Sequence, residues 1–264
     1  MKKLLALALM YSLSVFANPI DITCPKLTYK SAPIVNADQY VCHQQYAIAY
    51  SWATRDPIYT TEFLTKDHTG NLPRTNDFQV DPVIEPHHSA TPNDYKNSKT
   101  ACGPITSAKR TSSCDQGHMT PDQDFSACDI CVHQSFFMSN MVPQNYQNNE
   151  IIWKYMEIHI RGYVANNLAG AYIITGPVFY PNATRITIGK NQVWVPDALF
   201  KIMIDAKTGK SIAFMMPNSK QDTKALGNFV VSLDDIEKAT GLKFDVSLDK
   251  KTKADYQAWL LQTK

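Results

Sequence analysis

The chain has 264 residues, with 26 Lys and Arg against 24 Asp and Glu, six cysteines and a net charge of +2. A balance this close to neutral excludes a general basic field, so any attraction to a polyanion must be local. The amino-terminal apolar run is too short for the roughly 20 apolar residues that a membrane span needs, and no later stretch approaches that length.

The chain opens "MKKLLALALMYSLSVFANP". Two lysines, an apolar run from Leu4 to Phe16 and a small Ala17 form the three-part layout of a secretory signal peptide, with cleavage expected after Ala17. Residues 1–17 are therefore read as the signal and 18–264 as a single domain, exported to the periplasm or the medium, with no membrane segment in the mature form. Removing Lys2 and Lys3 leaves 24 basic residues against the 24 acidic ones. Cys24, Cys42, Cys102, Cys114, Cys128 and Cys131 all lie in the mature part, and an even count in an exported protein favours disulfides. Sequence proximity suggests Cys24 with Cys42. The rival is zinc held by Cys114, His118, Cys128 and Cys131, but structural zinc sites usually supply two close cysteine pairs and only one is present.

"YAIAYSWA" (46–53) alternates large and small residues, which predicts a strand with one buried face. From His68 to Arg110 the composition turns to Pro, Asn, Asp, Ser and Thr without periodicity, a long loop of the kind that carries function or is stapled. "NNEIIWKYMEIHIRGYVANN" (148–167) has helical apolar spacing and an Asn available as N-cap. Asn149, Trp153, Glu157 and Arg161 recur every four residues along one stripe of it. Asn149 and Glu157 stand about 12 Å apart at the usual helical rise. That is too far to grip one small cation together, but suitable for bracketing a hydrated one. Magnesium keeps much of its water shell, so an Asn oxygen with a Glu holding waters suits it. The plainer reading is a solvated stripe with a Glu157–Arg161 pair.

"GAYIITGPVFY", "RITIGKNQVWVP", "ALFKIMID" and "SIAFMMP" read as four strands separated by turns. "SLDDIEKATG" reads as a short helix with Ser232 as N-cap, Asp235 completing a capping box and Gly241 as the stop. The fold class is α+β, with a mainly antiparallel central sheet flanked by helices.

"DQGHMTP" (115–121) resembles the DRGH signature of the DNA/RNA non-specific endonucleases. "SNMVPQNYQNNEIIWKYME" (139–157) is similar to that family's second block, and "TGPVF", "VWVPDALFKIMID", "AFMMPN" and "VSLDDIEKATGLKF" resemble further family segments. The likeness runs from about Tyr46 to Phe244. It implies a ββα-metal catalytic motif and hydrolysis of DNA and RNA phosphodiesters to 5′-phosphate ends with one hydrated Mg²⁺, Mn²⁺ being a possible substitute. Residue by residue it implies His118 as general base, Asn149 as the metal ligand and Glu157 as the group fixing the metal's waters. Arg161 and Arg74 would lie at the scissile phosphate, Asn140 would hold the histidine loop or the phosphate, and Asp115 would support the loop and its waters. Contacts confined to sugar and phosphate carry no sequence information, so both nucleic acids are expected partners.

Gln116 stands where the signature has Arg, which removes a charge from the phosphate site. Arg110 is the candidate substitute. A catalytically weakened, nuclease-like binding domain is the alternative function, and a phosphodiesterase for small esters a third. The remaining histidines, His43, His68, His87, His88, His133 and His159, have no partner motif and are assigned to packing or surface.

Overall fold

The computed structural model describes residues 23–29, 33, 35–96 and 98–244; the signal-peptide reading of 1–17 lies outside the described residues. Seven strands form the main sheet: β1 (Gln39–Cys42), β2 (Tyr46–Ser51), β3 (Asp56–Leu64), β6 (Ala171–Val178), β9 (Ala198–Asp205), β10 (Ser211–Pro217) and β11 (Val230–Val231), adjacent in that order. Every pairing in it is antiparallel. A separate hairpin joins β4 (Cys114–His118) to β5 (Met141–Asn145), with helix α1 (Asp129–Ser135) inserted between them. The chain then runs through a π turn (Asn148–Trp153) into α2 (Lys154–Asn167). The strands β7 (Thr187–Ile188) and β8 (Val193–Trp194) form a small outlying ribbon, and α3 (Leu233–Thr240) closes the described chain.

The α+β class and the antiparallel sheet are as the sequence predicts. Helix α3 begins on Ser232, whose hydroxyl accepts from Asp235 N–H while the Asp235 carboxylate answers back to Ser232, and it ends on Gly241 in the left-handed region. Three of the four expected C-terminal strands are β6, β9 and β10. The fourth, "RITIGKNQVWVP", is cut into the β7–β8 ribbon by residues at positive φ, Gly189 and Gln192. A Cβ at Gly189 would lie 2.3 Å from Asp94, so the turn packs where a side chain has no room.

Strand β2 departs from the expected single buried face: Tyr46 to Tyr50 are all buried. Its alternation sorts two cores rather than core and solvent. Ala47 and Ala49 face the core that packs with α3, while Tyr46, Ile48 and Tyr50 face a second cluster containing Phe125 and Cys131.

The same two-residue period organises the other face of the sheet. In β9, Phe200, Ile202 and Ile204 pack with α3, while Leu199 and Met203 pack against Trp153, Met156 and Ile160 at the other helix. Lys201 shares that second face, and β3 and β6 place Glu62 and Thr175 on it by the same alternation. All three side chains are buried.

Candidate active site

The hairpin β4–β5 followed by the π turn and α2 builds the site. His118 ends β4 opposite Met141, and the loop that follows is held from behind by Asn140. Asn140 Nδ2 donates to the carbonyls of Thr120 and Ser135, both at 2.8 Å, and its Oδ1 accepts from Thr120 N–H at 3.0 Å. Its side chain is fully buried, so its place is behind the loop rather than on the cleft floor.

A cleft of ≈ 640 Å³ is lined by His118, Asn149, Glu157, Arg161, Arg74, Asp115 and Gln116, with Phe78, Asp122, Lys154 and Ile158 among the other walls. None of the other six histidines lines it. His43 is engaged with Asp81, His133 with Asp77, and His88 stacks on Trp52.

His118 lies between Phe78 and Phe136, whose ring centroids are 5.7 and 4.9 Å from its own. Burial, reinforced by Arg74 and Lys201 and opposed by Asp122, lowers its pKa to about 3, so the imidazole is neutral at pH 7. Its Nε2 is buried without a hydrogen-bond partner. A buried ring nitrogen with no partner costs stability unless something else uses it.

Asn149 Nδ2 donates to Asp115 Oδ2 at 3.0 Å. That bond fixes the amide and leaves its carbonyl oxygen as the group free to ligate. Glu157 Oε1 is likewise buried with no hydrogen-bond partner. Burial raises the Glu157 pKa to about 7, with Asp124 and Asp122 adding to the rise and Lys201 and Arg161 opposing it. An amide oxygen and a carboxylate on one wall suit a hard cation that keeps its waters. Among the described residues no group of three or more His, Cys, Asp or Glu is arranged to hold a metal. The residues present therefore fit a sparsely ligated ion rather than a zinc cage.

Two carboxylates of the 3₁₀ turn Asp122–Phe125, just past the histidine, position the arginines. Arg74 is paired to Asp122 and Arg161 to Asp124. Arg161 thus bonds to the loop rather than to Glu157 as its helical spacing suggests. The guanidinium of Arg74 also sits 4.8 Å from the Phe136 ring centroid. The regular stripe on the helix is broken at Trp153, which is buried in the core. The cause is the π turn, where Lys154 N–H reaches back to the carbonyl of Asn149 and alters the angular phase assumed for an α-helix. The N-cap is Asn145, whose Oδ1 accepts from Gln147 and Asn148 N–H, each at 3.0 Å.

Arg110 does not line the cleft of His118; it borders an adjoining groove. Its guanidinium bonds Asp115 at 2.8 Å and also Glu150, and it lies 4.3 Å from the Tyr146 ring centroid. Both arms are taken, so it braces the carboxylate that orients Asn149 instead of replacing the arginine absent at position 116. Gln116 itself points its amide toward Met138 Sδ, at 4.0 Å.

All six cysteines are paired, Cys24–Cys42, Cys102–Cys114 and Cys128–Cys131, which replaces the zinc reading. The second bridge anchors the first residue of β4, and the third lies at the start of α1.

Sequence reasoning missed Asp122, Asp124, Glu62 and Lys201. The first two belong to "TPDQDF", directly after the histidine. For the last, the signal was one lysine in the middle of the apolar run "ALFKIMID".

The β4–β5 hairpin and α2 thus bring one unpartnered histidine, an amide, a carboxylate and two arginines to a single cleft. The chain belongs to the DNA/RNA non-specific endonuclease family, whose profile matches residues 25–251. It is 32% identical over 81% of its length to mitochondrial nuclease EXOG of Xenopus laevis, spanning 59% of that protein. It is 31% identical over 83% of its length to nuclease C1 of Cunninghamella echinulata var. echinulata, spanning 87% of it. With human mitochondrial endonuclease G the identity is 28%, over 78% of this chain and 69% of that one. The chain thus spans less than two-thirds of the frog EXOG protein. In three dimensions it superposes on a chain from the EndoG/EndoGI complex with TM-score 0.71, covering 87% of this chain and 93% of that one at 24% identity, a likeness of fold.

Proposed function

We propose that this chain is an exported, magnesium-dependent, sugar-non-specific endonuclease that hydrolyses DNA and RNA. The observation that carries the reading is the buried, neutral, unpartnered Nε2 of His118 in a cleft shared with Asn149, Glu157, Arg74 and Arg161. A neutral imidazole so placed takes the proton of an attacking water, a contribution of roughly 10²- to 10⁴-fold. The water oxygen bonds to phosphorus as the bond to the 3′-oxygen breaks with its electron pair, and the departing 3′-oxygen takes a proton from solvent water, leaving 5′-phosphate and 3′-hydroxyl ends. Arg74 and Arg161 offer guanidinium donors to the phosphate oxygens, and Asp122 and Asp124 hold them in place. Asn149 would hold the ion through Oδ1 and Glu157 would hold its waters. When bound, Mg²⁺ supplies positive charge that offsets the charge accumulating on the phosphate.

Export is supported by the amino-terminal sequence and by three disulfides among the described residues, which persist in oxidising compartments. Digestion of plasmid DNA and of RNA tests the reading. Cleavage with Mg²⁺, abolished by EDTA and by His118→Ala, is expected; no cleavage by the wild-type chain with Mg²⁺ would refute it. The weakened-binder alternative draws on one observation: Arg110 is committed to two carboxylates and does not stand in for the arginine that position 116 lacks. That alternative predicts nucleic-acid binding without turnover in the same assay.

A further inference from the structure

Among the buried ionisable groups to which the nuclease reading gives no role, one bonds to the loop of His118. Lys201, in the middle of β9, is 1% exposed. A buried ammonium is costly unless it is hydrogen-bonded and paired. Its Nζ donates to Thr175 Oγ1 at 2.8 Å and to the carbonyl of Met119 at 3.0 Å. It lies 3.8 Å from Glu157 Oε1 and 5.2 Å from the Trp153 ring centroid. One cation thus touches the sheet, the peptide directly after His118, and the helix that carries Glu157.

We propose that Lys201 is a positioning residue of the cleft, which locks the loop directly after His118 to the central sheet and sets its positive charge beside Glu157 and His118. The inference rests on the nuclease reading. The mechanical part follows from the bonds on the loop. Met119 gives its carbonyl to Lys201 and its N–H to the carbonyl of Asn140, while Thr120 is held by the Asn140 amide. Without the ammonium, the Met119 carbonyl is buried with no donor, one residue from the base.

The electrostatic part follows from what surrounds each group. Glu157 is faced by Lys201 from the sheet, Arg161 from its own helix, and Asp124 and Asp122 from the loop. Arg161 is hydrogen-bonded to Asp124, so its charge is already engaged. Glu62, also on this face of the sheet, has its pKa raised by burial and by Asp124, with Lys201 and Arg161 opposing the rise. His118 is faced by Arg74, Asp122 and Lys201. Removing a positive charge favours the protonated form of both working groups, an imidazolium and a neutral carboxyl, neither of which serves this chemistry.

The test is Lys201→Met in the full chain, with Thr175→Val as the control that removes a neutral acceptor and leaves the charge. For Lys201→Met the acid limb of kcat/KM is expected to rise by about one to three pH units, the usual effect of one close opposite charge. At pH 7, kcat should fall about tenfold with KM within about twofold, as for a group that does not bind substrate. Thr175→Val should leave the limb in place. An unmoved limb in Lys201→Met, or an equal shift in Thr175→Val, overturns the proposal. Carbon NMR of the metal-free protein gives a readout independent of cleavage. The His118 ring is expected to gain its proton at higher pH in Lys201→Met than in the wild type, and equal midpoints overturn the proposal. If Lys201→Met does not fold, the ε-carbon of Lys201 in the wild type decides: ammonium at pH 7 supports the proposal and neutral amine overturns it. A wild-type protein that cuts nothing would remove the nuclease reading while leaving both NMR results to judge Lys201.

Discussion

Replacing Asn140 by Ala should unseat the loop of His118 at a stability cost that can be worked from three bonds. The wild-type amide donates to the carbonyls of Thr120 and Ser135 and accepts from the N–H of Thr120, all at 2.8–3.0 Å in a fully buried position. Alanine leaves two carbonyls and one N–H without those partners. At about 1 kcal/mol net per bond, and more for a buried group left unsatisfied, the loss should be about 3 kcal/mol. Urea unfolding at pH 7 should show it as a lower midpoint with an unchanged m-value. Asn140→Asp sharpens the test. It keeps the acceptor for Thr120 N–H but sets carboxylate oxygens against two carbonyls, so it should be no more stable than the alanine variant. A loss below about 1 kcal/mol for Ala, or wild-type stability for Asp, would refute the reasoning that this amide is the loop's anchor.

Glu157→Gln should stabilise the metal-free fold above neutrality. The folded carboxyl has a pKa raised from 4.5 to about 7, so the wild type binds an extra proton between those values and loses stability as pH rises through that window. Glutamine escapes that cost, giving about 1–3 kcal/mol at pH 8 and no advantage near pH 4, readable by thermal melts across pH. Gly162 lies inside α2 with nothing within 4 Å of an added Cβ, so Gly162→Ala should raise stability by about 1 kcal/mol without altering cleavage. The Cys102–Cys114 bridge closes a loop of sequence separation 12, and replacing both cysteines by Ala should cost about 3 kcal/mol in a denaturant titration.

Much of the fold and part of the site were legible because the residues concerned act locally. Ser232, Asp235 and Gly241 announce the start and stop of α3 through caps made within a few residues, and the structure keeps all three. His118, Asn149 and Glu157 sit in motifs whose order survives as a shared cleft wall. What the sequence hid depends on distant partners. Lys201 and Glu62 look like interruptions in strands until the sheet places them under the histidine loop. The alternation of β2 was readable, but not that its small residues meet a second core instead of water. Trp153 follows the four-residue spacing of its neighbours and still leaves their face, because a π turn is an event of backbone hydrogen bonding that no side-chain period announces.

In the proposed mechanism Asn149 offers its side-chain oxygen to a hydrated divalent ion opposite His118. The most direct measurement is anomalous diffraction from crystals grown with Mn²⁺. A peak is expected roughly 2 Å from Asn149 Oδ1, with waters between it and Glu157. A peak placed elsewhere in the cleft, or an occupied ion that survives unchanged in Asn149→Ala, would contradict it.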